Sequence, residues 1–184
     1  MSHKLIVVSG PSGVGKGTIV DRLLNKRADV VESVSCTTRA PREGERHGRE
    51  YFFIPKDEFL KRIEEGDFLE YDEHFGNYYG TPKSFVEETL KTKSVILEID
   101  VVGGLKVKSV RPETVLVMIA PPSLEELERR LIGRNTETQR EIENRLSRLE
   151  YELSQSDKYD YVIVNDTLEN AVTAMENVLD DKTE

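Results

Sequence analysis

The sequence predicts an α/β fold in which a parallel sheet carries helices on both faces. Residues 5–9 form an apolar run that is rich in β-branched residues and too short for a helix. Such a run predicts a central strand that is buried on both faces. Strand-like and helix-like patterns then alternate along the chain, which is typical of parallel sheets with crossover helices. The later strand-like patterns are residues 94–99, 114–120 and 161–164.

The helices are predicted from the spacing of apolar residues. A Gly-rich segment follows the first strand, and a helix is expected after it with Ile19, Val20, Leu23 and Leu24 on one face. Pro121 ends the strand at 114–120, and Ser123 is a suitable N-cap for the helix that follows. Two further helical patterns lie at 142–153 and 168–179, and the second is cleanly amphipathic.

The stretch 33–93 has a different character from the rest of the chain. It holds most of the aromatic residues, in short segments that Gly and charged residues interrupt. This pattern predicts a small mixed, largely antiparallel insertion with one helix, at 56–65. The expected core is then residues 1–32 and 94–184. A polar stretch at 133–140 separates two helical patterns and predicts a mobile flap.

Composition excludes several classes of protein. The 184 residues include 26 Lys and Arg against 35 Asp and Glu, a net charge of -9, which disfavours binding to nucleic acid. Cys36 is the one cysteine, so neither an intrachain disulfide nor a Cys-rich zinc site is expected. No apolar run approaches the roughly 20 residues of a membrane span, and the start lacks a signal-peptide pattern. We therefore expect a cytoplasmic protein.

Residues 10–18 read GPSGVGKGT and lie between the first predicted strand and the first predicted helix. Phosphate binding requires inward backbone N–H groups, a helix N-terminus and a lysine, and all three occur in order. The expected phosphate-binding loop comprises Gly10, Pro11, Ser12, Gly13, Val14, Gly15, Lys16, Gly17 and Thr18. The usual hydroxyl after the lysine is replaced by Gly17, so Mg²⁺ is expected either on Thr18 or through water. A Gly-rich turn without a ligand is the simpler alternative.

A second phosphate site is predicted in residues 35–45, which read SCTTRAPREGE. Arg39 and Arg42 are three positions apart and follow several hydroxyls, so they can hold a phosphate by charge-assisted, bidentate contacts. One phosphate loop and one separate arginine pair indicate two phosphate-bearing ligands. That arrangement suits the transfer of a phosphoryl group from one ligand to the other.

The pattern S-x-T-T-R-x-P-R-x-G-E resembles the signature of the guanylate kinases. Six further motifs resemble that family in its order: GREYFF at 48–53, EY at 70–71, YYGT at 78–81, LEID at 97–100, GRNTET at 133–138 and VND at 164–166. The resemblance extends from Leu5 to Leu179. One departure is Val102, where the family usually has a glutamine.

The resemblance implies a P-loop nucleoside monophosphate kinase core with a GMP-binding insertion at about 33–93 and a lid at about 133–145. The implied reaction moves the γ-phosphoryl of ATP to GMP, and also to dGMP, with Mg²⁺. ATP is then bound by the loop and Asn165. The residues implied for GMP are Arg39, Arg42, Tyr51 and Tyr79 at its phosphate, and Ser35, Glu70, Thr81 and Asp100 at its base. The implied catalytic set is Lys16, Arg42, Arg134 and Arg145.

The chemistry of these residues agrees with a guanine ligand. A carboxylate such as Glu70 can accept from the N1 and N2 donors of guanine at once, and Ser35 can donate to O6. Adenine lacks that donor pair, so a site built on these bonds rejects it. No general base is needed, because the acceptor is already a phosphate oxyanion.

Two alternatives fit the same residues. One is a non-catalytic guanylate-kinase-like module that binds protein partners, and the other is a related kinase with a different acceptor. Interpretations as surface charges, packing aromatics or turn residues stay open for Arg42, Arg134, Arg145, Tyr51, Tyr79, Glu70, Asp100 and Asn165. The sequence does not predict an oligomeric state.

Overall fold

The computed structural model describes residues 3–74, 76–123, 125–127 and 149–182. Its strands are β1 (Leu5–Ser9), β2 (Val30–Glu32), β3 (Cys36–Thr37), β4 (Phe52–Phe53), β5 (Phe68–His74), β6 (Asn77–Pro82), β7 (Ser94–Glu98), β8 (Val115–Ala120) and β9 (Tyr161–Val164). Its main helices are α1 (Lys16–Lys26), α2 (Lys56–Glu64), α3 (Lys83–Thr89), α4 (Val101–Val110) and α5 (Leu168–Leu179). Residues 149–154 are also helical, and a short 3₁₀ helix, Ser156–Lys158, precedes β9.

The larger sheet has five parallel strands in the order β2-β7-β1-β8-β9. All five residues of β1 are buried, as the sequence predicts for a central strand. Successive side chains point to opposite faces. Ile6 and Val8 therefore pack with α1 and α5, whereas Val7 joins a second core that contains Val101 and Val107 of α4. The predicted parallel sheet with helices on both faces is confirmed.

The smaller sheet is mixed and has the order β4-β3-β6-β5. Its β3–β4 pair is parallel, whereas β6 pairs antiparallel with both β3 and β5. Phe59 of α2 is fully buried and stacks on Phe68 with ring centroids 4.4 Å apart. It also contacts the ring of Tyr78 at 5.5 Å. The predicted mixed insertion and its helix are confirmed, and α2 ends one residue earlier than expected.

The expectation of a single helix in this segment is wrong, because α3 is a second one. This helix has seven residues, and Val86 is its one buried side chain. Two turns with a single apolar anchor produce no helical periodicity that a sequence pattern can reveal. Val86 packs into the same core as Val7 and Leu97 of the larger sheet and Leu69 of β5, so α3 lies where the two sheets meet.

The sequence patterns also missed β2 and α4. Three residues make β2 too short to stand out as a pattern. In α4 the sequence Val-Val-Gly-Gly disfavours a helix, but the carboxylate of Asp100 accepts a hydrogen bond from the Gly103 N–H at 2.8 Å and caps the first turn. A Cβ on Gly104 would lie 3.0 Å from Cγ1 of Val7, so the glycine permits close packing on β1. Tertiary contact here overrides a poor local propensity.

The flap expected at 133–140, the lid at 133–145, and Arg134 and Arg145 within that region lie outside the described residues. None of the helices that the structure describes combines the length and the apolar character needed to cross a bilayer.

We predict that Phe59→Ala lowers the free energy of unfolding by about 3–5 kcal/mol, because it removes the fully buried ring that joins α2 to the smaller sheet. Leu60→Ala is the matched control on the next residue, where the side chain is 38% exposed, and we expect a loss below about 1 kcal/mol. Urea unfolding followed by circular dichroism measures both. Equal losses would contradict the assigned core.

Candidate active site

A cavity of about 360 Å³ opens between the carboxyl end of β7 and the smaller sheet. Ligands of open parallel sheets bind at the carboxyl ends of strands, so this position is typical of a substrate site. Its lining residues are Ser35, Arg42, Tyr51, Glu70, Asp72, Tyr79, Gly80, Glu98, Ile99 and Asp100. Six of the eight side chains expected at GMP are in this set, and the other two, Arg39 and Thr81, contact residues of the wall.

The phosphate-binding loop connects β1 to α1, and glycines are required in its backbone. Gly10, Gly13 and Gly15 have φ values of 142°, 82° and 100°. A Cβ on Gly10 would lie 2.2 Å from the carbonyl oxygen of Ile119, so no other residue fits at the exit of β1. The Lys16 ammonium donates to the carbonyls of Gly10 at 2.6 Å and Pro11 at 3.1 Å. These contacts hold the lysine charge over the loop.

Asn165, the residue after β9, packs against this loop. Its side-chain N–H donates to the carbonyl of Val14 at 2.7 Å, and the residue is buried. A Cβ on Gly15 would lie 2.6 Å from Nδ2 of Asn165, so the amide and the loop are in close contact. The asparagine therefore lies against the loop residues expected to bind ATP.

Glu98 is a site residue that the sequence analysis missed. It ends β7 beside β1, lines the cavity and lies next to Gly17, where a Cβ would be 3.5 Å from its Oε2. Burial raises the pKa of Glu98 above its ordinary value, whereas the nearby charge of Lys16 lowers it. The LEID motif contained this signal, since the last residue of a strand beside the loop strand faces the phosphate site.

The two arginines of the 35–45 segment have different surroundings. The Arg39 guanidinium donates to both carboxylate oxygens of Glu45, each at 2.9 Å, and lies 5.5 Å from the centre of the Tyr51 ring. The rings of Tyr51 and Tyr79 meet edge to face at 5.9 Å. Arg42 is exposed and lines the cavity, and its guanidinium forms no ion pair with the described residues. Arg39 is thus held in place, and Arg42 is available to a ligand.

Glu70 lies at the opposite part of the cavity, on β5. Its Oε1 accepts a hydrogen bond from the hydroxyl of Thr81 at 2.7 Å, across the pair that β5 forms with β6. Burial raises the pKa of Glu70; the negative charge of Asp100 adds to the rise, whereas the Thr81 hydrogen bond and Lys106 oppose it. A desolvated carboxylate with one engaged oxygen can accept strongly from the paired donors of a ligand.

Helix α4 forms the far wall and holds Glu70 in place. A Cβ on Gly103 would lie 3.2 Å from Oε2 of Glu70, so the glycine leaves room for the carboxylate. Lys106 of the same helix donates to the carbonyl of Tyr71 at 3.1 Å and lies 3.4 Å from the Asp72 carboxylate. These bonds join α4 to β5, and the sequence contained no signal for them. Ser35 also lines the cavity.

Comparison with known proteins agrees with this geometry. A family model described as guanylate kinase matches residues 2–182. A guanylate kinase of Clostridium perfringens is 52% identical over 176 residues, which are 95% of this chain and 82% of that protein. A guanylate kinase of Clostridium acetobutylicum is 51% identical over 182 residues, which are 97% of this chain and 87% of that protein.

A solved structure supports the same relationship in three dimensions. The crystal structure of a guanylate kinase from Anaplasma phagocytophilum superimposes with a TM-score of 0.80 and 36% sequence identity. The match covers 98% of this chain and 86% of that one. The resemblance that the motifs indicate therefore holds for the whole fold, and this chain belongs to the guanylate kinase family.

Proposed function

We infer that this chain transfers the γ-phosphoryl group of ATP to GMP, which yields ADP and GDP. The observation that carries the inference is the adjacency of two phosphate sites. The loop at the end of β1 and the cavity at the end of β7 lie on paired strands, with Val8 opposite Glu98. Glu98 lines the cavity, and the charge of Lys16 in the loop lowers its pKa against the rise that burial causes. A donor phosphate on the loop therefore adjoins an acceptor in the cavity.

The chemistry at this junction consists of positioning and charge neutralisation. The acceptor oxygen of GMP is already an anion, so the transfer needs no base. Lys16 supplies a positive charge at the donor phosphates. Arg42, whose guanidinium forms no ion pair with the described residues, supplies one between donor and acceptor. From the family resemblance we propose the same role for Arg134 and Arg145, on a lid at 133–145.

We propose that the cavity binds GMP with its phosphate at Arg39, Arg42, Tyr51 and Tyr79, and that Ser35, Glu70, Thr81 and Asp100 surround the base. The half-buried Glu70 carboxylate accepts from N1 and N2 of guanine, and Thr81 orients it through the 2.7 Å hydrogen bond. Asp100 caps α4, so its part is to hold the wall of the base site as well as to add charge there. dGMP fits the same contacts, since none of them requires the 2′-hydroxyl.

The surroundings of the loop also fit Mg²⁺. Glu98 supplies a half-buried carboxylate beside Gly17, and Thr18 supplies a hydroxyl at the start of α1. No group of three or more His, Cys, Asp or Glu side chains among the described residues is placed to hold a metal. Mg²⁺ needs only one or two protein ligands, because it keeps several waters and binds mainly to substrate phosphates. When bound with ATP, the ion neutralises phosphate charge.

We further propose that residues 1–32 and 94–184 act as the core, that 33–93 act as the GMP-binding part, and that Asn165 contributes to the ATP site. The buried contact of Asn165 with the loop supports the last point. A cytoplasmic location is part of the same proposal, because ATP and GMP are cytoplasmic metabolites.

The direct test is ADP release from Mg-ATP with GMP, dGMP, AMP, CMP, UMP and dTMP offered in turn. We expect turnover with GMP and dGMP and a preference over AMP on the order of 10⁴, because adenine leaves Glu70 without its donors. EDTA should abolish the signal. Absence of turnover with every acceptor, from protein shown to be folded, would favour a binding module or a different acceptor.

We expect Lys16→Met to lower kcat by about 10²-fold or more, since it removes the positive charge over the loop while the fold is kept. Lys26→Met is the control on the same helix: that side chain is 49% exposed and pairs with Glu176, away from the loop. Steady-state kinetics and circular dichroism measure both variants. Undiminished turnover in Lys16→Met would exclude its catalytic role.

We predict that Glu70→Gln raises the KM for GMP by roughly 10- to 100-fold and leaves the KM for ATP unchanged, because it removes one charged acceptor from the base site. Glu73→Gln on the same strand is the control, since that side chain is exposed. Equal changes in both KM values would contradict the assignment.

The same variant reveals the pH dependence of the site. Because burial raises the pKa of Glu70 above 4.5, the protein loses the ionised carboxylate as pH falls through that raised value. The ratio of the KM for GMP in Glu70→Gln to that in the unmodified protein should therefore shrink on acidification. The ratio cancels the titration of the GMP phosphate. A ratio that stays constant down to pH 4.5 would contradict the prediction.

A further inference from the structure

Glu45 connects the two arginines of the loop at residues 39–45. Its Oε1 accepts from Nη2 of Arg39, and its Oε2 accepts both from Nη1 of Arg39 and from the backbone N–H of Arg42, at 2.9, 2.9 and 2.7 Å. The backbone N–H of Glu45 in turn donates to the carbonyl of Arg42 at 3.1 Å. One carboxylate therefore closes the turn at 42–45 and orients the neighbouring guanidinium.

The neighbouring residues of this loop bury no side chains. Residues 40–44 and 46 are all exposed, so no apolar core orders them. Gly44 has a φ of 87°, and a Cβ there would meet no atom within 4 Å. Glycine is therefore needed at this position for the backbone turn and not for space. The side chains of Glu45 and Arg39 are only 18% and 15% exposed. They contact each other, and the Arg39 guanidinium also lies over the rings of Tyr51 and Phe53.

The contacts give the two arginines different freedom. Arg39 donates to both oxygens of Glu45 and to the carbonyl of Ala40, and it lies over the Tyr51 ring. Arg42 is bound to Glu45 through its backbone, while its guanidinium forms no ion pair with the described residues. Glu45 thus fixes the position of both arginines but consumes the charge of one alone.

We propose that Glu45 is a positioning residue for GMP, which orders the 39–45 loop so that Arg39 and Arg42 meet the phosphate of the nucleotide together. This inference rests on the proposed function, since it concerns the acceptor phosphate of that reaction. Ordering before binding raises affinity, because the loop entropy is not lost when the ligand arrives.

Electrostatics alone predicts the opposite change in GMP affinity when Glu45 is removed. A carboxylate beside two arginines lowers the positive potential at the site, so its removal should strengthen the binding of a phosphate. Glu43 provides the control for this term: it is an exposed acid on the same loop, two residues from Glu45. The direction of the change in affinity therefore separates loop ordering from charge alone.

The test is calorimetric titration of GMP and of guanosine into the unmodified protein, Glu45→Ala, Glu45→Gln and Glu43→Ala. We expect Glu45→Ala to weaken GMP binding about 10- to 100-fold and to leave guanosine binding unchanged, because guanosine has no phosphate. Glu45→Gln should be intermediate, since a carbonyl oxygen can replace Oε2. Glu43→Ala should bind GMP equally or slightly more tightly.

Three outcomes would overturn the proposal. They are GMP binding by Glu45→Ala that is as tight as in the unmodified protein or tighter, an equal loss for guanosine, and an equal loss in Glu43→Ala. A failure of the unmodified protein to bind GMP is a separate result, visible in the first titration, and it would overturn the proposed function together with this inference.

Discussion

The tight exit of the chain from β1 is the constraint on which the site depends. Gly10 approaches the carbonyl of Ile119 so closely that a Cβ would lie 2.2 Å from it. The chain therefore turns at once and starts α1 at Lys16, with the helix N-terminus beside the strand ends. Since β1 pairs with β7, the cavity at the end of β7 adjoins that turn. The parallel sheet and this crowded glycine therefore place the candidate phosphate loop beside the candidate acceptor cavity.

Local charge, rather than net charge, decides what this protein binds. The chain carries a net charge of -9, yet its candidate site holds Lys16 over the loop and Arg39 and Arg42 at the cavity. The acids of the candidate site have proposed roles: we propose that Glu45 orders the two arginines and that Glu70 binds the base. A dispersed negative surface keeps the protein from nonspecific contact with polyanions, while the cleft remains suited to nucleotides.

The candidate site contains two carboxylates, Glu70 and Glu98, that are largely removed from solvent. The pKa values of Glu70 and Glu98 are both raised by burial, so each prefers its neutral form more than an exposed acid does. Nearby groups oppose this shift, namely Thr81 and Lys106 at Glu70 and Lys16 at Glu98. In the proposed complex, N1 and N2 of guanine supply donors to the Glu70 carboxylate. Binding of the base therefore offsets part of the cost of desolvating that carboxylate.

Features that depend on neighbours in the sequence could be predicted. They include the strands at 5–9 and 161–164, the terminal helix, the phosphate loop and the arginine pair, because periodicity, glycine conformations and residue spacing are local. Features that depend on distant contacts could not. Helix α4 forms despite its two glycines because Asp100 caps it and Val7 packs on it, and α3 is held by one buried valine. The roles of Glu98 and Lys106 arise from strand pairing and from the contact of α4 with β5. The sequence by itself determined the chemistry of the residues and the local turns. The tertiary structure decided which carboxylates lose contact with solvent and which groups face them, because burial and strand pairing join residues that are far apart in the chain.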